Sequence, residues 1–218
     1  MNVLFLTMLD NMDINRRGIY NDVMRRFRND GHKVYIVCTV ERKMGQKTYV
    51  SKDEDVKILH VRTLNLQKTN IVEKGLGQLS IEMLFKRAIK KHFAGVDFDL
   101  ILYSTPPITF PKVIEYAKKV NPKAMSYLLL KDIFPQNAVD MGMLKTTGVK
   151  GLLYKLFRKK EERLYQLSDH IGCMSPANVE YVLRHNPSIT AERVEVCPNS
   201  IELYGKESEY NNGGLLQK

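Results

Sequence analysis

Three short segments of this chain carry residue types that could do chemistry. The first is Leu9–Gly18 (LDNMDINRRG), between an apolar run and an amphipathic one. Free N–H groups at a helix start attract anions, and Arg16 and Arg17 beside Gly18 would strengthen a phosphate site there. A solvated arginine pair is the plain alternative. The second is Ser104-Thr105-Pro106-Pro107, directly after an apolar run. Its prolines stiffen the backbone and remove donors. Its hydroxyls are then either ligand contacts or a helix N-cap ahead of a first-turn proline. The third is Tyr127–Gln136 (YLLLKDIFPQ), in which a buried strand delivers Lys131 and Asp132 to its end and an aromatic and a proline fix the loop behind them. An acid so placed can orient a substrate hydroxyl or act as a base; a surface salt bridge is the alternative.

Other patterns are absent. No G-x-G-x-x-G follows the first apolar run, and neither a Walker A motif nor a G-x-S-x-G elbow occurs. The histidines (32, 60, 92, 170 and 185) have no metal-ligand spacing with each other or with cysteine. Asp97-Phe98-Asp99 has the form of a metal-binding D-x-D but precedes a strand, at the wrong end of a sheet for a ligand, and is expected to be a polar lead-in.

The elements that must position these segments alternate. Strands are expected at Asn2–Met8, Lys33–Cys38, Val56–Val61, Leu100–Tyr103, Ala124–Leu130, His170–Met174 and Arg193–Val196. Helices are expected at Gly18–Asp30, stopped by Gly31, and at Gly75–Phe93, Pro111–Val120, Val149–Leu167 and Pro176–His185. In Gly75–Phe93 the side Leu76, Leu79, Met83 and Leu84 is apolar, and Glu82 and Lys86 are spaced as an i,i+4 pair. In Val149–Leu167 the apolar face is Leu152, Leu153, Leu156, Phe157 and Leu164, with Lys150, Lys155, Arg158, Lys159 and Lys160 around the rest. That helix is expected to cover the sheet, with attraction to an anionic membrane as a secondary role. Val40–Asp55 reads as an exposed loop. The pattern predicts a doubly wound α/β domain with a mostly parallel sheet and helices on both faces. Ligands then bind outside the carboxyl ends of the strands, where all three segments fall.

Composition narrows the classes. The 218 residues are 44% hydrophobic and 27% charged, which excludes a mainly disordered chain. The net charge of +10 points to an anionic partner. Lys and Arg are spread without an aromatic-interleaved stretch, so nucleic acid is not expected. No apolar run approaches the roughly 20 residues that span a bilayer, and no leader with a cleavage site opens the chain. Cys38, Cys173 and Cys197 are expected to be buried reduced thiols of a cytoplasmic protein.

These segments, in this order, resemble the N-terminal domain of family-four glycosyltransferases of the GT-B fold, over about residues 1–203. Asn2–Thr7 and the turn Asn29-Asp30-Gly31-His32-Lys33-Val34 are similar to the family's opening strand and "RGHEV"-type turn. Ser104–Pro107 is similar to the "SPP" loop of the branch that builds surface polysaccharides, a fucosaminyltransferase-like branch. Lys131–Gln136 with Ala138-Val139-Asp140-Met141-Gly142 resembles that branch's "RDLWPxSAVDLG" segment. Val194–Ile201 (VEVCPNSI) resembles the segment that closes the domain.

The resemblance implies transfer of a sugar from a nucleotide-sugar donor to a glycan or lipid-linked acceptor, with retention and with neither metal nor other cofactor. It places Asp132 near the reacting centre as the catalytic residue and Ser104, Thr105 and Lys131 on the acceptor side. Arg16, Arg17 and Gly18 would face the donor phosphates. It also implies a peripheral place at the inner face of the membrane. Two departures stand out: Gly18 is the only glycine in the first loop, and Ser200 replaces a common glycine after Pro198-Asn199. The family's second, nucleotide-sugar domain, of roughly 150 residues, does not fit in the 18 residues after Ser200. Residues 204–218 are expected to be a linker or frayed tail, and the chain alone to be inactive without that partner domain. A membrane-recruiting, non-catalytic subunit of a split enzyme is the alternative.

Overall fold

The computed structural model describes residues 1–66 and 71–203; the tail expected at 204–218 lies outside the described residues, as do the side chains of Leu76, Leu79, Val149 and Lys150. Eight strands form one sheet: β1 (Asn2–Asp10), β2 (Lys33–Glu41), β3 (Tyr49–Asp53), β4 (Val56–Thr63), β5 (Leu100–Ser104), β6 (Met125–Leu130), β7 (His170–Cys173) and β8 (Val194–Val196). Their order across the sheet is β3-β4-β2-β1-β5-β6-β7-β8, and every neighbouring pair is parallel except β3 with β4. The helices are α1 (Ile19–Asn29), α2 (Ile71–His92), α3 (Pro111–Val120), α4 (Gln136–Asp140), α5 (Gly148–Leu167) and α6 (Pro176–His185). The doubly wound α/β prediction holds.

Crossover handedness explains how the helices divide. From β1 the chain steps outward to β2 through α1, then returns past β1 to β5 and continues to β6, β7 and β8. Right-handed crossovers in opposite directions put their helices on opposite faces. One core therefore lies under α1, with Phe5, Met24, Val34, Ile36 and Cys38 fully buried. The larger one lies under α2, α3, α5 and α6, built on Leu4, Leu6, Phe85, Val113, Leu164 and Val182. On the α1 side, β5 and β6 present Leu100, Leu102, Tyr127 and Leu129 to a groove of about 310 Å³ walled by α1 and Cys197–Ser200.

The predicted elements form with three corrections. First, Val40–Asp55 is not a loop. β2 runs on through the buried Val40 and Glu41, a single 3-10 turn follows, and β3 pairs antiparallel with β4 as the sheet edge. Second, α2 does not pair Glu82 with Lys86. Glu82 is buried, accepts the Lys112 N–H at the start of α3 at 2.8 Å, and lies 3.5 Å from Lys160. Lys86 sits over the Tyr116 ring, and Met83 is half exposed while Ile81, Phe85 and Ile89 face the core. Third, the apolar residues of α5 do not share a face. Leu164 and Tyr165 are buried against the sheet and Phe157 packs edge-on to Phe134, but Leu152 is 72% exposed and Leu153 and Leu156 nearly half.

Smaller expectations hold or shift. Gly31 follows α1 at φ +82, a left-handed stop that suits glycine. Asp97 and Asp99 sit at the N-terminal end of β5, where the Asp99 carboxylate accepts the Asn2 N–H at 2.6 Å. Cys38 and Cys173 are buried free thiols, whereas Cys197 is partly exposed on the groove wall. Burial pushes the Cys38 thiol up to about 12, so it is no nucleophile.

Candidate functional site

The strand order reverses beside β1, which has β2 on one side and β5 on the other. In open α/β sheets this switch point opens a crevice at the carboxyl ends of the strands. Loops 11–18, 105–110 and 131–135 flank it. The residues of the second and third segments are joined here by direct bonds.

Ser104 ends β5 and is 2% exposed, and Thr105 beside it is 1% exposed. The Thr105 hydroxyl accepts the backbone N–H of Lys131 at 3.0 Å and that of Asp132 at 3.5 Å. The Thr105 N–H donates to the Leu129 carbonyl at 3.1 Å. Loop 105–110 is thus stitched to the end of β6, and Thr105 acts as the seat of Lys131 and Asp132. Neither hydroxyl caps α3, whose N-cap is Phe110, so that alternative falls away. Asp132 stands exposed on this seat.

Tyr20, in the first turn of α1, completes the group. Its ring lies 5.4 Å from that of Phe5 on β1, and its hydroxyl interacts with Ser104. Burial raises its pKa above the ordinary tyrosine value; the Ser104 bond opposes this and the negative charge of Asp132 adds to it. Tyr20 remains a neutral phenol at neutral pH, able to donate or accept beside a carboxylate. The crevice therefore gathers Tyr20, Ser104, Thr105 and Asp132 from α1, β5 and β6. Tyr20 has no signal in the sequence beyond its place two residues after Gly18.

Lys131 faces the apolar groove. Its ammonium lies 3.4 Å from the Cys197 carbonyl, and burial lowers its affinity for the proton. The first loop is held from behind. Arg25 donates to the carbonyls of Ile14 at 2.6 Å and Arg16 at 2.8 Å, and the Asn21 amide donates to those of Asp13 and Arg16. Asp22, buried, accepts from the N–H groups of Gly18 at 3.1 Å and Glu202 at 2.9 Å and from the Arg25 guanidinium. Of the three phosphate-facing candidates, the Gly18 N–H is thereby engaged by Asp22 and Arg17 reaches the Glu202 carbonyl. Arg16 is exposed, 3.5 Å from Asp13, and lines a different cavity with Tyr49, Ser51 and His60. The structure thus does not bring Arg16 and Lys131 to one cavity. Arg25 and Asp22, which fix the loop, were not legible as site residues.

Among the described residues no three His, Cys, Asp or Glu side chains converge as a metal site, and no helix is long and apolar enough to cross a membrane.

Sheet order, crossovers and crevice define a Rossmann-like α/β domain, and solved glycosyltransferases of the GT-B fold share it. One is a trehalose-6-phosphate structure from E. coli bound with UDP-2-fluoro glucose: 10% identity, 93% of this chain and 49% of that one, TM-score 0.62. Another is the catalytic domain of starch synthase IV from Arabidopsis thaliana bound to ADP and acarbose: 13% identity, 92% and 51%, TM-score 0.57. A third is a UGT transferase from Siraitia grosvenorii in complex with UDP: 10% identity, 89% and 50%, TM-score 0.51. At such identity the likeness is one of fold. The chain spans about half the length of these structures. No family model matches the chain, and no curated protein does.

Proposed function

We propose that the chain is the N-terminal, acceptor-binding domain of a retaining, nucleotide-sugar-dependent glycosyltransferase of bacterial surface-polysaccharide synthesis (capsule, O-antigen or exopolysaccharide). The observation that carries the reading is the Tyr20–Ser104–Thr105–Asp132 group at the switch point, in a fold of which three solved neighbours were bound to UDP, ADP or a UDP-sugar. Asp132, exposed on a fixed seat, accepts the hydrogen bond of the attacking acceptor hydroxyl, and Tyr20 donates to the same carboxylate or to the sugar. The donor belongs to a second domain closing over this edge, which excludes water and completes the site. The partners that the Gly18 N–H and the Arg17 guanidinium already have within this chain, Asp22 and the Glu202 carbonyl, favour that division.

Calorimetric titration of the chain with UDP and GDP tests the division. No binding up to the millimolar range is expected; micromolar binding would mean that this domain holds its own nucleotide site and would end the reading. In an enzyme that joins this domain to its donor domain, Asp132→Ala is expected to lower kcat at least 100-fold, within the range usual for a positioned acid or base. Turnover close to wild type would remove Asp132 from the role.

A further inference from the structure

The cavity lined by Arg16 lies apart from the crevice, between loop 11–16 and the edge of the sheet, and measures about 280 Å³. Behind it stands a cross-strand row. Cys38 on β2 is in register with His60 on β4, and His60 with Tyr49 on β3, so the three side chains share one face of the sheet. Ser51, two residues along β3, points to the same face. His60 is 3% exposed, and its ring stacks on that of Tyr49 with centroids 4.3 Å apart and planes 7° from parallel. Its Nε2 is 2.9 Å from the Ser51 hydroxyl and its Nδ1 is 3.5 Å from the Cys38 sulfur. The walls are tied together: Asn15 donates to the Asp53 carboxylate at 2.7 Å, and the Tyr49 hydroxyl donates to Asn11 at 3.4 Å. An apolar residue would serve the fold at position 60, as Ile58 does on the same strand and face. A buried imidazole instead needs partners for both nitrogens. The pairing of this histidine with a serine that lines a cavity is unexplained by the fold.

We infer that Ser51 and His60 form a second reactive site, a nucleophile and its base, which takes short-chain acyl esters. The three parts of an activated hydroxyl are present: a nucleophile and a base within hydrogen-bond reach, and a third group that orients the base. With its proton on Nδ1, facing the Cys38 sulfur, His60 accepts the Ser51 hydroxyl at Nε2. Burial lowers the proton affinity of His60, which keeps the ring neutral and free to act as a base, and Cys38 keeps its own proton. In the reaction, Ser51 Oγ bonds to the ester carbonyl carbon as its proton passes to His60 Nε2. The bond from that carbon to the alcohol oxygen then breaks, and the alcohol leaves with the same proton. Water repeats the two steps on the acylated serine and releases the carboxylic acid. Arg16 and Lys52 are the cations that line the cavity, and positive charge there favours the developing oxyanion. The volume lies at the lower end of ligand pockets, which are about 300–1,000 Å³, and so favours a short acyl group. A thiol stabilises the imidazolium less than a carboxylate would, so turnover is slower than that of a hydrolase with a full triad. The inference stands on this cavity alone and does not need the transferase reading.

Incubation of the whole chain with p-nitrophenyl acetate tests it, followed by nitrophenolate release and by peptide mass spectrometry. An acetyl group is expected on Ser51 of the wild type. H60Q is expected to slow that acetylation about 100-fold or more, the loss usual for a positioned base. S51A is expected to remove the burst of nitrophenolate, and its unchanged thermal melting will show that it folds. A second measurement needs no variant. A fluorophosphonate, whose fluoride is displaced by an activated serine hydroxyl, is expected to label Ser51 of the folded wild type at least about tenfold faster than that of the chain unfolded in urea. Three results would overturn the inference: acetyl groups found only on lysines or the amino terminus, a folded H60Q that acetylates Ser51 at the wild-type rate, or equal labelling of folded and unfolded chains. Each would mean that the Ser51–His60 bond only pins the edge strand.

Discussion

Thr105 shows how a buried side chain can set an exposed one. Its hydroxyl accepts two consecutive backbone N–H groups, those of Lys131 and Asp132, and is itself almost wholly removed from water. Valine has nearly the same shape and cannot accept either bond. Thr105→Val is therefore expected to lower stability by about 1–3 kcal/mol, the usual result of leaving a buried donor without its acceptor. Thr105→Ser keeps the acceptor and is expected to recover most of the loss. Urea unfolding of the two variants measures this; equal stability of valine and serine would show that the hydroxyl does not hold the loop. The same position explains why the hydroxyls after β5 looked like ligand contacts. A Ser-Thr pair at a strand end has the chemistry for either role, and burial, which decides between them, is not written in the local sequence. Tyr20, Asp22 and Arg25 were invisible for a related reason. Tyr20 meets Ser104 and Asp132, and Asp22 and Arg25, besides their near neighbours, meet Glu202, all far away in the chain.

At the scale of elements, periodicity identified the parallel strands and the five longer helices, because each buries a regular pattern of apolar residues, and missed α4, whose five residues are too few to show one. It failed where pattern and burial part company. Tyr49–Asp53 (YVSKD) is an edge strand with alternate exposure, so its polar residues read as loop, and the buried Glu41, 2.6 Å from Lys43, hides the end of β2 in a charged stretch. In α5 the apolar positions were correctly counted and wrongly pooled. The split makes a direct prediction. Leu164→Ala removes a wholly buried side chain and is expected to destabilise the domain by about 2–5 kcal/mol, whereas Leu152→Ser, at an exposed site, is expected to change it by less than about 0.5 kcal/mol. Chemical denaturation of both variants decides the matter. A large loss from Leu152→Ser would mean that the outer face of α5 is packed against the domain, and the two-stripe reading of the helix would go with it.

For the whole molecule, stability and function are arranged along the same axis. β1 lies at the centre, bonded to β2 and β5, and Val3, Leu4, Phe5 and Leu6 are fully buried. The sheet ends in β3 on one side, five residues with alternate exposure, and in β8 on the other, three residues of which two are exposed. Local opening is easiest where few apolar contacts and few backbone bonds must be lost. Amides of β1, β2 and β5 are thus expected to exchange only when the domain unfolds globally, and those of β3 and β8 through smaller openings. Hydrogen exchange followed by mass spectrometry reads this directly, and equal protection of β8 and β1 would show a single cooperative unit. The difference bears on the site. Asp132, Thr105 and Tyr20 stand on the ends of the central strands and the helix next to them, and so share the most persistent part of the structure. Cys197–Ser200, which wall the apolar groove, hang from β8, and Glu202 reaches back to Asp22 and Arg25. An opening of β8 would loosen the groove while leaving the carboxylate in place. The strand order thus puts the carboxylate on the persistent part of the domain and the groove wall on the part that opens first.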